Sequence, residues 1–356
     1  MTTVETSTAI SVGRSGKRRR LAVLAVGSSS GEIGGAERFY VGLRDAIISA
    51  GADAEIVWFT SNDVDFDTVK ESYLRCYDLA LATFDGVIST KAPGYVVRHR
   101  NHICYLQHTM RAFYDMFDAE FPWANEKLRE QRHLIHMMDT AALKPPHTRR
   151  LFVISHEVQQ RLRAFNGLPS EVLYQASTLS GFHTGEYRYL FLPGRLHRWK
   201  RVGLVIEAMH HIRSPVELLI SGTGEDAAHF RMMAAGNSSI CFLGHVDDRT
   251  LLDLYSNALA VAVVPLHEDF GLVTLEAFLS GKPVITCEDS GEPARLVKDG
   301  RSGYVCPPKP EAIAERIDRL AKSPEHAAQM GRHGMESIRH ISWDEVGEKL
   351  VTALGF

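Results

Sequence analysis

Short apolar runs alternate with amphipathic stretches along almost the whole chain. The apolar runs have the length and composition of buried strands, and between them apolar residues recur with the period of a helix. Strands are predicted near residues 21–26, 54–59, 86–89, 102–106, 151–154, 171–174, 189–193, 216–220, 239–243, 259–264 and 283–286. Helices are predicted at 35–50, 125–140, 156–165, 202–212, 249–257, 271–280 and 309–321. This alternation indicates βαβ units and therefore an α/β fold with parallel sheets.

The predicted strands fall into two series, separated by a polar, glycine-containing stretch at residues 176–186. A length of 356 residues also exceeds what one hydrophobic core usually serves. We therefore predict two Rossmann-like, doubly wound parallel-sheet domains, residues 21–182 and 183–340, that face each other across a central cleft. Residues 341–356 are predicted to form a last amphipathic helix that packs back on the N-terminal domain.

Composition and charge narrow the class of protein. Hydrophobic residues make up 45% of the chain and charged residues 23%, and a net charge of −3 argues against nucleic acid as a partner. The five scattered cysteines and the absence of a long apolar run favour a cytoplasmic protein. Residues 1–20 are expected to be a disordered arm that ends in a basic run. That run is expected to be solvated, and the alternative is peripheral contact with anionic lipid at the inner face of the membrane.

Two glutamates flank the turn that follows the predicted strand at 259–264. Glu268 lies in the loop after the strand, and Glu276 lies just over one turn inside the next helix, which begins near Gly271. The backbone N–H groups at the start of that helix form an anion site between them. Carboxylates that bind sugar hydroxyls would thus flank amides that bind phosphate, as a nucleotide sugar requires. The alternative is two unrelated surface glutamates that oppose the helix dipole.

A basic loop follows the predicted strand at 189–193. Arg195 and Lys200 lie in this loop, where a guanidinium fork and an ammonium group could clamp a diphosphate. The alternative is a solvated basic turn, which is what we expect of Arg198 and Arg201.

Two loops of the predicted N-terminal domain carry further candidate groups. Gly34 and Gly35 join the first strand to the first helix and permit close approach of the backbone to a ligand. His108 closely follows the strand at 102–106 and should point into the cleft, unless it is a structural histidine. Neither the histidines nor the cysteines show a ligand spacing that predicts a metal site.

Taken in order, these motifs resemble the large family of retaining glycosyltransferases with the GT-B fold that is grouped as family 4. The resemblance begins at about Leu21 and is most specific at Gly-Arg195-Leu-x-x-x-Lys200-Arg and Glu268-Asp-Phe-Gly-x-x-x-x-Glu276. It implies transfer of a hexose from a UDP-, GDP- or ADP-sugar to the hydroxyl of a sugar or lipid-linked acceptor, without a cofactor or metal. The implied setting is the biosynthesis of surface polysaccharide or glycolipid.

The resemblance also implies roles for individual residues. Arg195, Lys200 and the first amides of the helix would hold the diphosphate, Glu276 the ribose and Glu268 the transferred sugar. The residues implied to bind the donor are Gly34, Gly35, Arg195, Lys200, Val246, Glu268, Phe270, Gly271, Leu272, Val273 and Glu276. The implied catalytic group consists of His108, Arg195, Lys200 and Glu268.

One segment departs from the pattern of the family. After Ser290-Gly291 the family often has a second glycine and later a glutamate, where this chain has Glu292 and Arg295. The contact of this loop with donor or acceptor therefore stays open. An alternative function is a catalytically silent relative that binds a nucleotide sugar, and a more distant one is an epimerase or phosphorylase of similar fold.

Overall fold

The computed structural model describes residues 18–28, 35–62 and 65–356, which form two α/β domains. Their strands are β1 (Arg20–Ser28), β2 (Asp53–Ser61), β3 (Gly86–Lys91), β4 (His102–His108), β5 (Leu151–Val153), β6 (Glu171–Val172), β7 (Tyr189–Pro193), β8 (Leu218–Ser221), β9 (Ile240–Gly244), β10 (Ala258–Val263), β11 (Val284–Cys287) and β12 (Gly303–Cys306). Their α-helices are α1 (Gly35–Ser49), α2 (Phe66–Tyr77), α3 (Phe117–Glu120), α4 (Glu126–Leu143), α5 (His156–Asn166), α6 (Val202–Ala208), α7 (Ala227–Met233), α8 (Asp248–Ser256), α9 (Leu272–Leu279), α10 (Glu292–Leu296), α11 (Pro310–Ala321), α12 (Pro324–Ser337) and α13 (Trp343–Ala353). Short 3₁₀ helices span Gly94–Val96, Arg111–Phe113 and Arg198–Lys200.

Each domain is built on a six-stranded sheet in which every described pairing is parallel. The order in the N-terminal sheet is β2-β1-β3-β4-β5-β6, and the order in the C-terminal sheet is β12-β11-β10-β7-β8-β9. Read from β9, the C-terminal order is that of a dinucleotide-binding sheet, with its topological switch point between β7 and β10. The prediction of two doubly wound parallel-sheet domains is confirmed.

The central strands explain why the apolar runs were so visible in the sequence. Parallel sheets are covered by helices on both faces, so their strands are continuous apolar runs rather than alternating ones. Leu21 to Val26 of β1 are at most 1% exposed, and all residues of β10 are buried. All predicted strands occur, with ends displaced by no more than two residues. The strand β12 and the helices α2, α3, α7, α10 and α12 were not predicted, and of these β12, α3, α7 and α10 are at most seven residues long.

The C-terminal helix α13 lies against α1 of the N-terminal domain. Gly347 permits this approach, since a Cβ at that position would collide with the carbonyl oxygen of Ala46. The indole Nε1 of Trp343 donates to the carbonyl of Ser177 at 3.2 Å, and Asn101 Nδ2 donates to the carbonyl of Leu354 at 3.0 Å. The chain therefore crosses between the domains twice. No helix in the described part of the chain has the length and apolar character of a membrane span.

Candidate active site

A cleft of about 270 Å³ lies between the two domains. His108, at the end of β4, lines it from the N-terminal side, and the loop after β10 lines it from the C-terminal side. The loops after β7 and β10 meet here because these strands are neighbours at the switch point, where ligands of open α/β sheets bind. The predicted residues that line the cleft are His108, Glu268, Phe270, Gly271 and Leu272.

Lys200 and Glu268 form an ion pair at this edge of the C-terminal sheet. The ammonium Nζ lies 2.7 Å from Oε2 of the carboxylate, and the Glu268 side chain is only 19% exposed. Burial by itself raises the pKa of Glu268, but the charge and hydrogen bond of Lys200, with Arg111 and Arg161 nearby, lower it below its usual value. Glu268 is therefore ionised at neutral pH, and Lys200 has a carboxylate partner.

Gly271 shapes the start of α9. Its φ of 71° lies in the left-handed region that favours glycine, and a Cβ there would lie 2.5 Å from Cγ of Pro293. As the N-cap residue it has no side chain that could bond to the first amides of the helix. Leu272 and Val273 occupy the first helical positions, where backbone N–H groups have no partner within the helix. This end of α9 is therefore suited to an anion.

Glu276 is buried behind this helix start rather than open to the cleft. Its side chain is held by two hydroxyls: Ser177 Oγ donates to Oε1 at 3.1 Å, and Tyr255 OH donates to Oε2 at 2.8 Å. Burial raises the pKa of Glu276, and these two hydrogen bonds only partly offset that. Each hydroxyl occupies one lone pair of its carboxylate oxygen, and the ribose contact of Glu276 stays a prediction.

Arg195 does not reach this group of residues. Its side chain is 68% exposed, and its guanidinium bonds to the carboxylate of Glu225 at 3.1 and 3.3 Å. Val246 is half-buried in the turn between β9 and α8. Gly34 lies outside the described residues, and Gly35 is the first residue of α1. The proposed donor contacts of these residues stay predictions.

Arg201 corrects one expectation, because it is not a solvated residue of a basic turn. Its φ is 52°, and its guanidinium bonds to both carboxylate oxygens of Asp289 at 2.6 and 2.7 Å. It also donates to the carbonyls of Val264 and Pro265 at 2.7 and 3.0 Å. The guanidinium thus ties together the loops that follow β7, β10 and β11. The neighbouring Arg198 is mostly exposed, but it pairs with Glu120 of the N-terminal domain at 2.5 Å.

A buried charge network crosses the cleft next to Glu268. Arg161 of α5 bonds to Asp269 of the C-terminal domain, and its Nε lies 2.8 Å from Oδ1 of Asp115. Arg111 binds the same Asp115 at 3.0 Å and donates to the carbonyl of Leu266 at 3.1 Å. The sequence motif could have pointed to Asp269, which directly follows Glu268. Arg161 offered no such signal, since it was one of two arginines in a predicted helix.

His108 is held as one tautomer. Its Nδ1 lies 2.9 Å from the carbonyl oxygen of Thr109, which can only accept, so Nδ1 carries the proton. Burial lowers the pKa of His108, and the nearby charge of Lys91 lowers it further against the opposing effect of Asp269. The ring is therefore neutral at pH 7, and its Nε2 is a hydrogen-bond acceptor.

The low pKa of His108 predicts a loss of stability in mild acid. Unfolded His108 takes up a proton below about pH 6.5, before the folded form does, so the loss occurs as pH falls from there toward the folded pKa. We expect His108→Gln to lose less stability than the wild type between pH 7.5 and 5.5, measured by urea unfolding at each pH. The half-exposed His183 serves as the control position, and the same reduction in His183→Gln would contradict this account.

Residues 180–337 match the family model described as glycosyl transferases group 1. This C-terminal segment, less than half of the chain, is therefore similar to the group 1 glycosyltransferases. Among curated proteins, the D-rhamnosyltransferase WbpZ of Pseudomonas aeruginosa is 28% identical over 43% of this chain and 41% of its own length. The aligned stretch spans less than half the length of the first curated relatives, 45% in one and 41% in the other.

Solved structures show the same fold over nearly the whole chain. Sucrose-phosphate synthase from Thermosynechococcus elongatus superposes with a TM-score of 0.72 at 20% identity, covering 94% of this chain and 98% of the other. HepE of Anabaena, solved with UDP and glucose, superposes with a TM-score of 0.70 at 15% identity, covering 95% and 100%. The fold expected from the resemblance, a two-domain α/β GT-B fold, is confirmed.

Proposed function

We propose that the protein is a retaining glycosyltransferase that moves a hexose from a nucleotide-diphosphate sugar to an acceptor hydroxyl. The observation that carries this proposal is the Lys200–Glu268 pair, whose carboxylate lines the interdomain cleft together with Gly271 and Leu272 at the start of α9. A cation and helix amides suit a diphosphate, and a carboxylate suits the hydroxyls of a sugar. The family model that residues 180–337 match supports the same ligand class, and so do the UDP and glucose in the structure of HepE.

The proposed mechanism follows from the charges that develop as the donor breaks. Positive charge grows on the anomeric carbon, while negative charge grows on the departing diphosphate. Lys200 and the amides of Leu272 and Val273 would stabilise that negative charge, and a cation and helix amides that are fixed by the fold would do so with little reorganisation. On this proposal the ammonium and the amides take the role that a divalent cation could otherwise have, and catalysis is metal-independent.

The other residues have positioning roles in this proposal. Glu268 would bind hydroxyls of the transferred hexose, and the neutral His108 would face the same sugar with its acceptor nitrogen Nε2. Acceptor attack from the face that the diphosphate leaves would retain the anomeric configuration without a covalent intermediate. The proposed setting is the biosynthesis of surface polysaccharide or glycolipid, and the similarity to a phosphatidyl-myo-inositol mannosyltransferase of Mycobacterium leprae supports it.

A donor panel tests this function. We expect one of the UDP-, GDP- or ADP-hexoses to raise the thermal midpoint, because a ligand at 100 times its Kd stabilises the folded state by about 2.7 kcal/mol. The same donor should slowly release nucleoside diphosphate without acceptor, and NMR of the transfer product should show the anomeric configuration of the donor. Binding without turnover on any acceptor would favour the catalytically silent alternative. No stabilisation by any member of the panel would refute both.

A further inference from the structure

Glu292 is a buried carboxylate of the C-terminal domain whose partners all belong to the N-terminal domain, apart from its helix neighbour Arg295 at 3.9 Å. Its Oε1 accepts a hydrogen bond from Tyr174 OH at 2.6 Å and lies 3.3 Å from Nδ1 of His156. Its Oε2 accepts from the backbone N–H of Glu157 at 3.0 Å, in the first turn of α5. A completely buried carboxyl group is costly unless its oxygens are hydrogen-bonded, and here both oxygens have partners across the domain boundary.

The same residue holds the backbone of Glu268. The N–H of Glu292 donates to the carbonyl of Glu268 at 3.0 Å, and the N–H of Glu268 donates to the carbonyl of Ser290 at 3.1 Å. Glu268 and Gly291 thereby pair as a short parallel bridge. The segment from Ser290 to Glu292 is therefore joined to the Glu268 backbone by two hydrogen bonds, one of which comes from Glu292 itself.

A second contact connects Glu292 to the same loop through a side chain. The ring of Tyr174, whose hydroxyl donates to Glu292, packs against the ring of Phe270 with centroids 5.8 Å apart. Phe270 directly precedes Gly271, the N-cap residue of α9. Glu292 and Tyr174 thus hold both ends of the loop from Glu268 to Gly271 against the N-terminal domain.

We propose that Glu292 is a positioning residue that sets the place of Glu268 and of the start of α9 relative to the N-terminal domain. This inference rests on the proposed function, because it assigns the positioned groups to the donor sugar and the diphosphate. Glu292 itself touches neither. Its carboxylate fixes the distance between the two sides of the cleft, and therefore acts on the transfer step rather than on binding of the nucleotide.

The test compares Glu292→Gly, Glu292→Gln and Tyr174→Phe with the wild type in two measurements. The first is hydrogen–deuterium exchange of residues 156–159, since the N–H of Glu157 bonds to Glu292. In Glu292→Gly we expect the exchange rate of that amide to rise about 10-fold or more, which corresponds to a loss of about 1.4 kcal/mol of protection. In Glu292→Gln the rate should stay within about 3-fold of the wild type, because glutamine keeps a carbonyl acceptor.

The second measurement separates kcat for transfer from the Kd of UDP, or of whichever nucleoside diphosphate the donor panel selects. We expect kcat to fall about 10-fold or more in Glu292→Gly and less in Tyr174→Phe, with Kd unchanged within about 2-fold. Glu292→Gln should recover most of kcat. The matched control is Glu311→Gly, an exposed first-turn glutamate of α11, which should leave kcat and exchange unchanged.

Two results would overturn the inference. The first is that Glu292→Gly shows the same hydrogen–deuterium exchange at residues 156–159, and the same kcat, as the wild type. The other is a loss of kcat accompanied by an equal loss of nucleotide affinity and not recovered by glutamine, which indicates a general structural role. Tyr174→Phe removes a single hydroxyl, so it keeps the test decisive if the glycine variant does not fold. A third result separates this inference from the proposed function. If hydrogen–deuterium exchange responds as expected but neither the wild type nor any variant turns over a donor, the contact of Glu292 is supported and the proposed function is refuted.

Discussion

Replacing Lys200 by alanine is expected to lower kcat/KM for hexose transfer by roughly 100- to 1,000-fold, the usual effect of removing one group that stabilises charge in a transition state. The ammonium group of Lys200 lies 2.7 Å from the Glu268 carboxylate, in direct contact with it. Loss of the ammonium group would also leave Glu268, which is mostly buried, without its main partner. The pKa of Glu268 would then rise, because burial raises it and Lys200 is the largest effect that opposes burial.

Steady-state kinetics with the donor chosen by the panel measure this effect. Since the proposed contact strengthens as the diphosphate leaves, kcat should fall more than the affinity for the donor. Lys309→Ala is the control, because Lys309 is an exposed lysine of the same domain at the start of α11. A kcat/KM within 3-fold of the wild type in Lys200→Ala, at about 25 °C, would remove Lys200 from the proposed mechanism.

Replacing Arg161 by methionine is expected to lower the free energy of unfolding by about 3–5 kcal/mol, the effect of removing one partner from a buried ion pair. The Arg161 side chain is 2% exposed and lies between Asp115 and Asp269, one from each domain. Burial opposes its charge, but these two carboxylates outweigh burial and raise the pKa of Arg161 above its usual value. Without the guanidinium, Asp269 would lose its bond to Arg161, and Asp115 would keep only its contact with Arg111 among the ion pairs of this network.

Urea unfolding followed by fluorescence measures this loss. Arg163→Met is the matched control, because Arg163 is exposed on the same helix and should change stability by less than about 0.5 kcal/mol. Adding Asp115→Asn and Asp269→Asn to Arg161→Met should restore part of the stability, since the uncompensated charges are then gone. Equal stability of Arg161→Met and Arg163→Met would show that the network contributes nothing to the fold.

Local sequence was sufficient for the strands and for part of the candidate site. The loop from Glu268 to Gly271 could be placed at the start of a helix because an apolar run ends before it and a glycine stands at the turn. His108 could be placed at the cleft for a similar reason, since it ends a buried strand. These inferences depend on a few consecutive residues, whose conformations are governed by short-range sterics and by burial on both faces of a sheet.

Contacts between distant segments could not be read in the same way. Arg195 and Arg201 are basic residues of one loop, yet Arg195 pairs with an exposed Glu225, whereas Arg201 is tied to Asp289 and to two backbone carbonyls. Glu276 had the right spacing for a ribose ligand, yet its oxygens are held by Ser177 and Tyr255. Nothing in the spacing of charges along a chain shows which partners a side chain meets after folding.

By itself, the sequence determined the alternation of strands and helices, and with it two parallel-sheet domains and the glycine turn at which α9 starts. The tertiary structure alone decided the strand order, which makes β7 and β10 neighbours and so brings Lys200 to Glu268. The tertiary structure also decided that Arg161 and Glu292 each join the two domains by contacts beside the loop from Glu268 to Gly271. The physical reason is that periodicity and turn chemistry act over a few residues, whereas burial of a charge is tolerated only where distant partners satisfy it.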